Sequence, residues 1–326
     1  MKFTSDGRKE WQEIVEGTAD IGLRARATVV AVDSNGFVFV AGTVGNTDSA
    51  ADFVIMKIDG RSSRKHVLWT RVIDGLGHDD AVNAMALTPD GGVALAGLVS
   101  IASGAHNFYL MKFTGGGQDA WPLPQIISGT ASEGLNTATA LGILPNGDIA
   151  VTGWLTNVGS DADAVVGRFD GTTGERHWLV ILNDSQVNGE DVGTALGVAP
   201  NGDIVAGGIT QRANFPRADF SVFSFSGTRV LLWQTIIDRG FFDAVRTVAV
   251  APNGDIIAGG TLEPSSGPNN SIHKRRARGC IGSHHRCDDC RRCDAKRSYV
   301  LRYDGGQYHG RARGLAAGHY RSRQAC

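Results

Sequence analysis

One turn signal, Asn-Gly at four places and Asp-Gly at a fifth, set at nearly even intervals, constrains this chain more than any other feature. Asn35-Gly36, Asp90-Gly91, Asn146-Gly147, Asn201-Gly202 and Asn253-Gly254 each stand between two short apolar stretches, and their glycines lie 55, 56, 55 and 52 residues apart. Asn-Gly and Asp-Gly are the preferred pairs of the type I′ hairpin turn, in which both central residues need positive φ. The flanks read as strands: Thr28 to Val32 and Phe37 to Ala41 around the first turn, with Ile204 to Gly208 and Ile256 to Gly260 repeating the outgoing arm. A fixed period of this length is the mark of tandem units that bury their apolar faces against one another.

A second hairpin follows each first one. Its opening strand runs from Asp52 to Ile58, Asn107 to Phe113, Asp163 to Phe169 and Asp219 to Phe225; a Gly-rich turn follows, and the arm closes on Trp69, Trp121, Trp178 or Trp233. Two hairpins per period make four strands, and no helix-period segment interrupts them. The predicted fold is all-β: a β-propeller of four-stranded blades. Val29/Ala31, Ala84/Ala86, Ala140/Gly142, Ala195/Gly197 and Thr247/Ala249 stand seven and five residues before the turn glycines. Residues two apart share a strand face, and small ones suit an innermost strand crowded by its neighbours. The recurring Trp is expected to fill volume at the outer part of a blade.

Met1-Lys2-Phe3…Trp11 repeats Met111-Lys112-Phe113…Trp121 at the same interval, so it matches the second half of a blade. The last clear hairpin, Thr247 to Gly260, supplies a first half. About five blades are therefore expected, one of them composite: a propeller over 1–265, with units near 12–69, 70–121, 122–178, 179–233, and 234–265 paired with 1–11.

The pattern Asp191…Ala195…Pro200-Asn-Gly-Asp-Ile-Val-Ala-Gly207, with Asp163…Arg168-Phe-Asp-Gly…Trp178, resembles the bacterial β-propeller repeats called SBBP repeats over residues 1–270. That resemblance implies a bacterial protein, exported or held at the cell surface, and a repeat that defines no single activity. The Gly174-to-Trp178 ending is also similar to quinoprotein-type blades, but the cofactor-clamping residues of the quinone enzymes are not recognisable. No signal peptide is visible after Met1, and no apolar run is long enough to span a membrane as a helix.

Charge divides the chain. Residues 1–270 carry 18 Lys/Arg against 29 Asp/Glu, whereas residues 271–326 carry 14 against 4 and hold all five cysteines. The tail, 266–326, is expected to be disordered and basic. Cys287, Cys290, Cys293 and His284 offer a zinc-type donor set, without the second Cys pair a structural site ordinarily has. Translation out of frame is the competing origin: shifting the codons of Gly318 to Arg323 by one nucleotide allows Asp-Ile-Ile-Ala-Ala-Gly, close to Asp255 to Gly260.

Recurring polar residues can be compared between copies. Asp80, Asn136, Asp191 and Asp243 (Ala25 in the first copy) stand eleven residues before the turn glycines Gly36, Gly91, Gly147, Gly202 and Gly254. Just before the inner strand they would gather at one channel mouth, where oxygen ligands could hold calcium; alternatively each accepts backbone N–H groups at the strand entry. Asp52, Asn107, Asp163, Asp219 and Asn270 open the third strand and read as local caps. Lys57, Lys112 and Arg168, five residues on, read as solvated charges on an outward face, partly shielded by neighbouring blades. No nucleophile elbow, phosphate loop or metalloprotease helix is present. The expected function is a non-enzymatic binding scaffold, with no cofactor other than calcium and with a protein or glycan, not nucleic acid, as partner. Its loops Gly42–Ala51, Leu98–His106 and Thr210–Arg217 would make the contact. The alternative is a propeller-type hydrolase or lyase acting on extracellular glycans.

Overall fold

The computed structural model describes every residue except 19–24, 48–49, 62, 65, 76–78, 101–104, 160, 184–188, 212–217, 264–297, 305–306 and 314–326. The described residues contain strands and turns but no helix, and they fall into two compact units, Met1–Asn183 and Asp184–Cys326. Each unit is built from antiparallel sheets whose strand order follows the chain.

In the first unit, β1 (Lys2–Phe3) and β2 (Lys9–Trp11) form a two-stranded sheet. The first four-stranded sheet is β3 (Arg26–Val32), β4 (Phe37–Asn46), β5 (Ala50–Asp59) and β6 (Val67–Ile73). The second is β7 (Ala81–Leu87), β8 (Val93–Ser100), β9 (His106–Phe113) and β10 (Gln125–Ile127). Its last strand starts late because Pro122 and Pro124, which have no N–H to give, follow Trp121. The third is β11 (Thr137–Ile143), β12 (Ile149–Asn157), β13 (Asp161–Phe169) and β14 (Arg176–Leu182). β7 packs against both β3 and β11, so the sheets stack face to face with their first strands together. Phe39, Phe53, Phe108, Phe113 and Phe169 lie in one apolar cluster that runs through the stack.

The second unit repeats the plan. Its sheets are β15 (Val192–Val198), β16 (Ile204–Thr210), β17 (Asp219–Phe225), β18 (Leu231–Ile237), and then β19 (Ala244–Val250), β20 (Ile256–Thr261), β21 (Ser298–Asp304), β22 (Gln307–Arg313). β15 packs on β19, and Val205, Phe220, Val222 and Val245 share a core. The four-stranded antiparallel sheets, three stacked by their faces in the first unit and two in the second, are blades of the β-propeller kind.

Several expectations change. The fifth blade takes its outer strands from β21 and β22, with Ile256–Gly259 of β20 paired to Tyr303–Val300 of β21, instead of from β1 and β2 as in the composite blade. The reason lies in the sequence: Arg302-Tyr303-Asp304-Gly305 repeats Arg168-Phe169-Asp170-Gly171 at the end of a third strand. Residues 298–304 and 307–313 are thus blade strands and not part of a structureless tail, while Cys287, Cys290, Cys293 and His284 lie outside the described residues.

The turns differ too. In the first hairpin, Asp33 N–H bonds Phe37 O and Gly36 N–H bonds Asp33 O, and the same pair of bonds recurs at Thr88, Leu144, Ala199 and Ala251. Gly36, Gly91, Gly147, Gly202 and Gly254 have φ between 80° and 91°, whereas none of the residues before them has positive φ. This is a type I turn closed by one left-handed residue, the usual three-residue hairpin, and not the two-residue type I′ turn. Only the glycine needs the left-handed region.

A bulge also recurs at one place in every first strand, between Ala27/Val29, Val82/Ala84, Ala138/Ala140, Gly193/Ala195 and Val245/Thr247. At two of them the extra residue bonds the next blade, whereas Thr139 Oγ1 donates to Thr152 O of its own blade. Asn83 Nδ2 donates to Ala138 O at 2.8 Å, and Thr194 Oγ1 donates to Val245 O at 2.7 Å.

The tryptophans join blades rather than merely filling one. Trp69 Nε1 donates to Gly115 O of the next blade at 3.1 Å, and Lys57 Nζ donates to the same oxygen at 2.9 Å. Trp121 Nε1 and Lys112 Nζ converge in the same way on Gly171 O, at 3.4 and 2.7 Å. The indole faces lie against Gly117 and Gly174, where an added Cβ would stand 2.7 and 2.6 Å from ring carbons. The solvated-charge reading fails at Lys112, which is 5% exposed. Its ammonium is buried because the Gly171 carbonyl and the Asp90 carboxylate, 2.6 Å away, replace water.

Candidate functional site

Asp80, Asn136, Asp191 and Asp243 are all buried at the entry to an inner strand. Each reaches the main chain twenty residues ahead, where the second strand of its hairpin ends. Asp80 accepts from Ser100 N–H at 2.7 Å, Asn136 from Thr156 N–H at 2.8 Å, Asp191 from Gln211 N–H at 3.0 Å and Asp243 from Glu263 N–H at 2.7 Å. Three of them also accept from the loop just behind: Gly75 N–H at 2.6 Å for Asp80, Gly129 at 3.0 Å for Asn136 and Arg239 at 2.5 Å for Asp243. One side chain therefore clamps two loops. An unmade bond to a buried N–H costs about 1–3 kcal/mol, which explains why the position is a carboxylate or a carboxamide in four copies.

The same residues tie consecutive blades. The N–H of Asp80 donates to Ala51 O, that of Asn136 to His106 O and that of Asp243 to Ala218 O. Those carbonyls belong to the residues immediately before Asp52, Asn107 and Asp219, so the two polar columns meet at each junction. Asp52 and Asp219 are buried and receive company from a third group the sequence reading missed. Asp74, Asp80 and Asp52 hold carboxylate oxygens within 4.8 Å of one another, as do Asp219, Asp238 and Asp243. The third column is Asp74, Ser128, Asn183 and Asp238, five residues after Trp69, Trp178 and Trp233 but seven after Trp121. Aligning the copies on Trp, with allowance for Pro122 and Pro124, would have found it.

The junctions differ in charge. At the neutral junction, Ser128 Oγ donates to Asn107 Oδ1 at 2.8 Å, and Asn136 Nδ2 donates to His106 O at 2.8 Å. At the acidic junctions, burial raises Asp80 above the ordinary carboxylate range and the Asp52 and Asp74 charges add to the effect, against the pull of the Ser100 and Gly75 N–H groups. Asp243 is raised in the same way, by burial first and by Asp238. A proton or a cation shared among three such oxygens would relieve their repulsion.

A second polar group occurs, among the described residues, in the third blade. Arg168 donates through Nε and Nη2 to Asp148 Oδ2 at 2.8 and 2.6 Å, with His177 Nε2 3.3 Å from the same oxygen and 3.8 Å from Asp170. Burial works against the charge of Asp148, but Asn146, Arg168 and the Gly171 N–H outweigh it and hold the carboxyl below its ordinary range. Its acceptor capacity is spent within the protein. His66 and His106 lie apart from this group, and His78 falls outside the described residues. Of the loops expected to meet a partner, 48–49, 101–104 and 212–217 also fall outside them.

No family model matches the chain, and no curated protein matches it. Solved structures do. The β-propeller domain of the trilobed protease from Pyrococcus furiosus is 12% identical, with 88% of this chain and 70% of that chain covered and a TM-score of 0.44. Penicillium chrysogenum α-L-arabinanase complexed with arabinobiose is 13% identical, with 74% of each chain covered and a TM-score of 0.43. A Bacteroides caccae protein of unknown function is 14% identical over 64% of this chain, which spans 61% of that protein, with a TM-score of 0.38. These likenesses concern architecture only and are too distant to transfer an activity. Among the described residues no helix is long and apolar enough to cross a membrane. By its own strand order, pairing and stacking, the chain is an all-β protein made of β-propeller blades.

Proposed function

We propose that this protein is a non-enzymatic binding scaffold whose loops present a partner-specific surface on a frame of blades. One observation carries the reading: the recurring polar residues are spent on main-chain clamps. Asp80, Asn136 and Asp243 each accept two N–H groups from two loops, so their positions serve the repeat in every copy. A reactive centre, by contrast, is ordinarily unique within a repeat array, because function is grafted onto a scaffold at one place. What varies between the copies is the loops, and variable loops on a fixed frame are where binding residues concentrate. The partner would be a protein or a glycan met outside the cell, as the SBBP-like repeat implies.

A second reading, a glycan hydrolase or lyase, draws on the acidic junctions, where a raised Asp80 stands beside Asp52 and Asp74. A paired acid and base of unequal pKa is what general acid–base chemistry needs. The two readings separate in one experiment. The protein and its Asp80→Asn, Asp191→Asn and Asp243→Asn variants are screened on a glycan array at low ionic strength, and each is assayed for release of reducing ends. The scaffold reading expects binding that survives all three substitutions within about twofold, since each removes a charge but keeps an acceptor, and no turnover. Turnover lost on any of the three would replace it with the enzyme.

A further inference from the structure

We infer that Asn35 is a site of spontaneous backbone modification, a deamidation centre set apart by how its turn is closed from the Asn-Gly pairs of the three other first-hairpin turns; the asparagine of a further pair, Asn188-Gly189, lies outside the described residues. The inference is independent of the proposed function. Asn-Gly is the dipeptide most open to this chemistry because glycine puts no side chain in the way. The Gly36 amide nitrogen attacks Asn35 Cγ, the Cγ–Nδ2 bond breaks, and the amide proton leaves with that nitrogen as ammonia. Water from solvent then opens the five-membered imide at either carbonyl, leaving aspartate or isoaspartate.

Four turns offer the same dipeptide on the same backbone. Asn35, Asn146, Asn201 and Asn253 are all exposed, and each is followed by a glycine with φ between 81° and 91°. Accessibility and backbone therefore do not distinguish them; the carboxamides do. Asn146 accepts the Asp148 N–H at 3.2 Å and donates to Asp148 Oδ2 at 2.9 Å. Asn201 makes the same two bonds with Asp203, at 3.1 and 2.8 Å, and Asn253 with Asp255, at 3.2 and 3.2 Å. Each amide is thus turned toward the residue two ahead, with its nitrogen held on a carboxylate. To react, it must give up both bonds.

The first turn is closed differently. Residue 37 is Phe, which offers no carboxylate, and its N–H is already taken by Asp33 Oδ1 at 2.8 Å. Asp33 also takes the Asn35 N–H, at 2.9 Å. Asp33 does from behind what Asp148, Asp203 and Asp255 share with the asparagine from in front. Neither of the two bonds that hold the other three carboxamides is open to that of Asn35. The consequence reaches beyond one side chain. Gly60 comes so close to the first turn that an added Cβ would stand 2.6 Å from Gly36 O. Isoaspartate adds a backbone carbon there, so the turn cannot lengthen without displacing the second hairpin of its blade.

The test is peptide mapping by mass spectrometry of the whole protein during incubation at neutral pH, with fragmentation that distinguishes isoaspartate from aspartate. Asn35 is expected to convert about tenfold or more faster than Asn146, Asn201 and Asn253, the factor that two modest hydrogen bonds represent in a rate. In the denaturant-unfolded chain the four rates should draw together. Asp203→Ala should speed Asn201 toward the rate of Asn35, and Phe37→Asp should slow Asn35. Equal rates in the native protein would overturn the inference, as would an ordering that persists unchanged in denaturant, since sequence and not the fold would then be its source.

Discussion

Replacing Trp121 by alanine is expected to cost about 3–5 kcal/mol of stability, the range for removing a fully buried large aromatic. Trp121 is 1% exposed, donates to Gly171 O and lies flat against Gly174 of the following blade. The change empties a volume that glycine cannot refill and leaves Lys112 alone on the Gly171 carbonyl. Trp69 makes the same contacts one blade earlier but is only partly buried, so Trp69→Ala should cost less. Denaturant unfolding followed by intrinsic fluorescence reads both. A loss under about 1 kcal/mol at Trp121 would mean the indole is not an interblade joint, because that is what an exposed surface substitution gives.

The Asp80 clamp should respond in opposite directions to two substitutions. Asp80→Ala leaves the Gly75 and Ser100 N–H groups buried without an acceptor and should destabilise by about 2–5 kcal/mol. Asp80→Asn is expected to take up the arrangement at Asn136, where Oδ1 alone accepts both N–H groups and Nδ2 donates to the carbonyl that corresponds to Ala51 O, in place of the two oxygens that Asp80 uses for Gly75 and Ser100. It also removes a charge crowded by Asp52 and Asp74. A carboxyl raised in the folded state binds its proton more tightly there than in the unfolded chain. Its contribution is therefore most favourable below the ordinary carboxylate pKa and is lost as pH rises through the raised value. Asp80→Asn should accordingly gain stability relative to the native protein at neutral pH and lose that advantage on acidification. Thermal melts of both variants from neutral to acidic pH test the sign.

Much of this architecture is legible in the sequence because hairpins announce themselves locally. Alternating apolar residues around Gly36, Gly91, Gly147, Gly202 and Gly254 suffice to place the first and second strands, and the arms that run to Trp69, Trp121, Trp178 and Trp233 place the rest. The turn type is not legible, since Asn-Gly suits both the two-residue and the three-residue loop and only the register separates them. The outer half of the fifth blade escapes a search by period because Thr261 and Ser298 are far apart in the chain, although Arg302-Tyr303-Asp304-Gly305 carries the repeat's own ending. Lys112 is misread for a different reason. Its burial depends on Gly171, contributed by another blade, and partners that distant leave no local trace. The polar columns show in sequence as recurrence, but whether recurrence serves folding or chemistry depends on which N–H groups each side chain reaches.

The central claim is that these recurring side chains clamp loops onto blades, and residue-resolved hydrogen exchange of the native protein tests it most directly. The amides of Ser100, Thr156 and Glu263, which lie at or just past the ends of strands, should be protected as strongly as the neighbouring ladder, and Asp80→Ala should release Ser100 and Gly75 while leaving Thr156 and Gly129 protected. Exchange of these amides at the rate of open loops in the native protein, or an Asp80→Ala variant that leaves Ser100 protected, would contradict it.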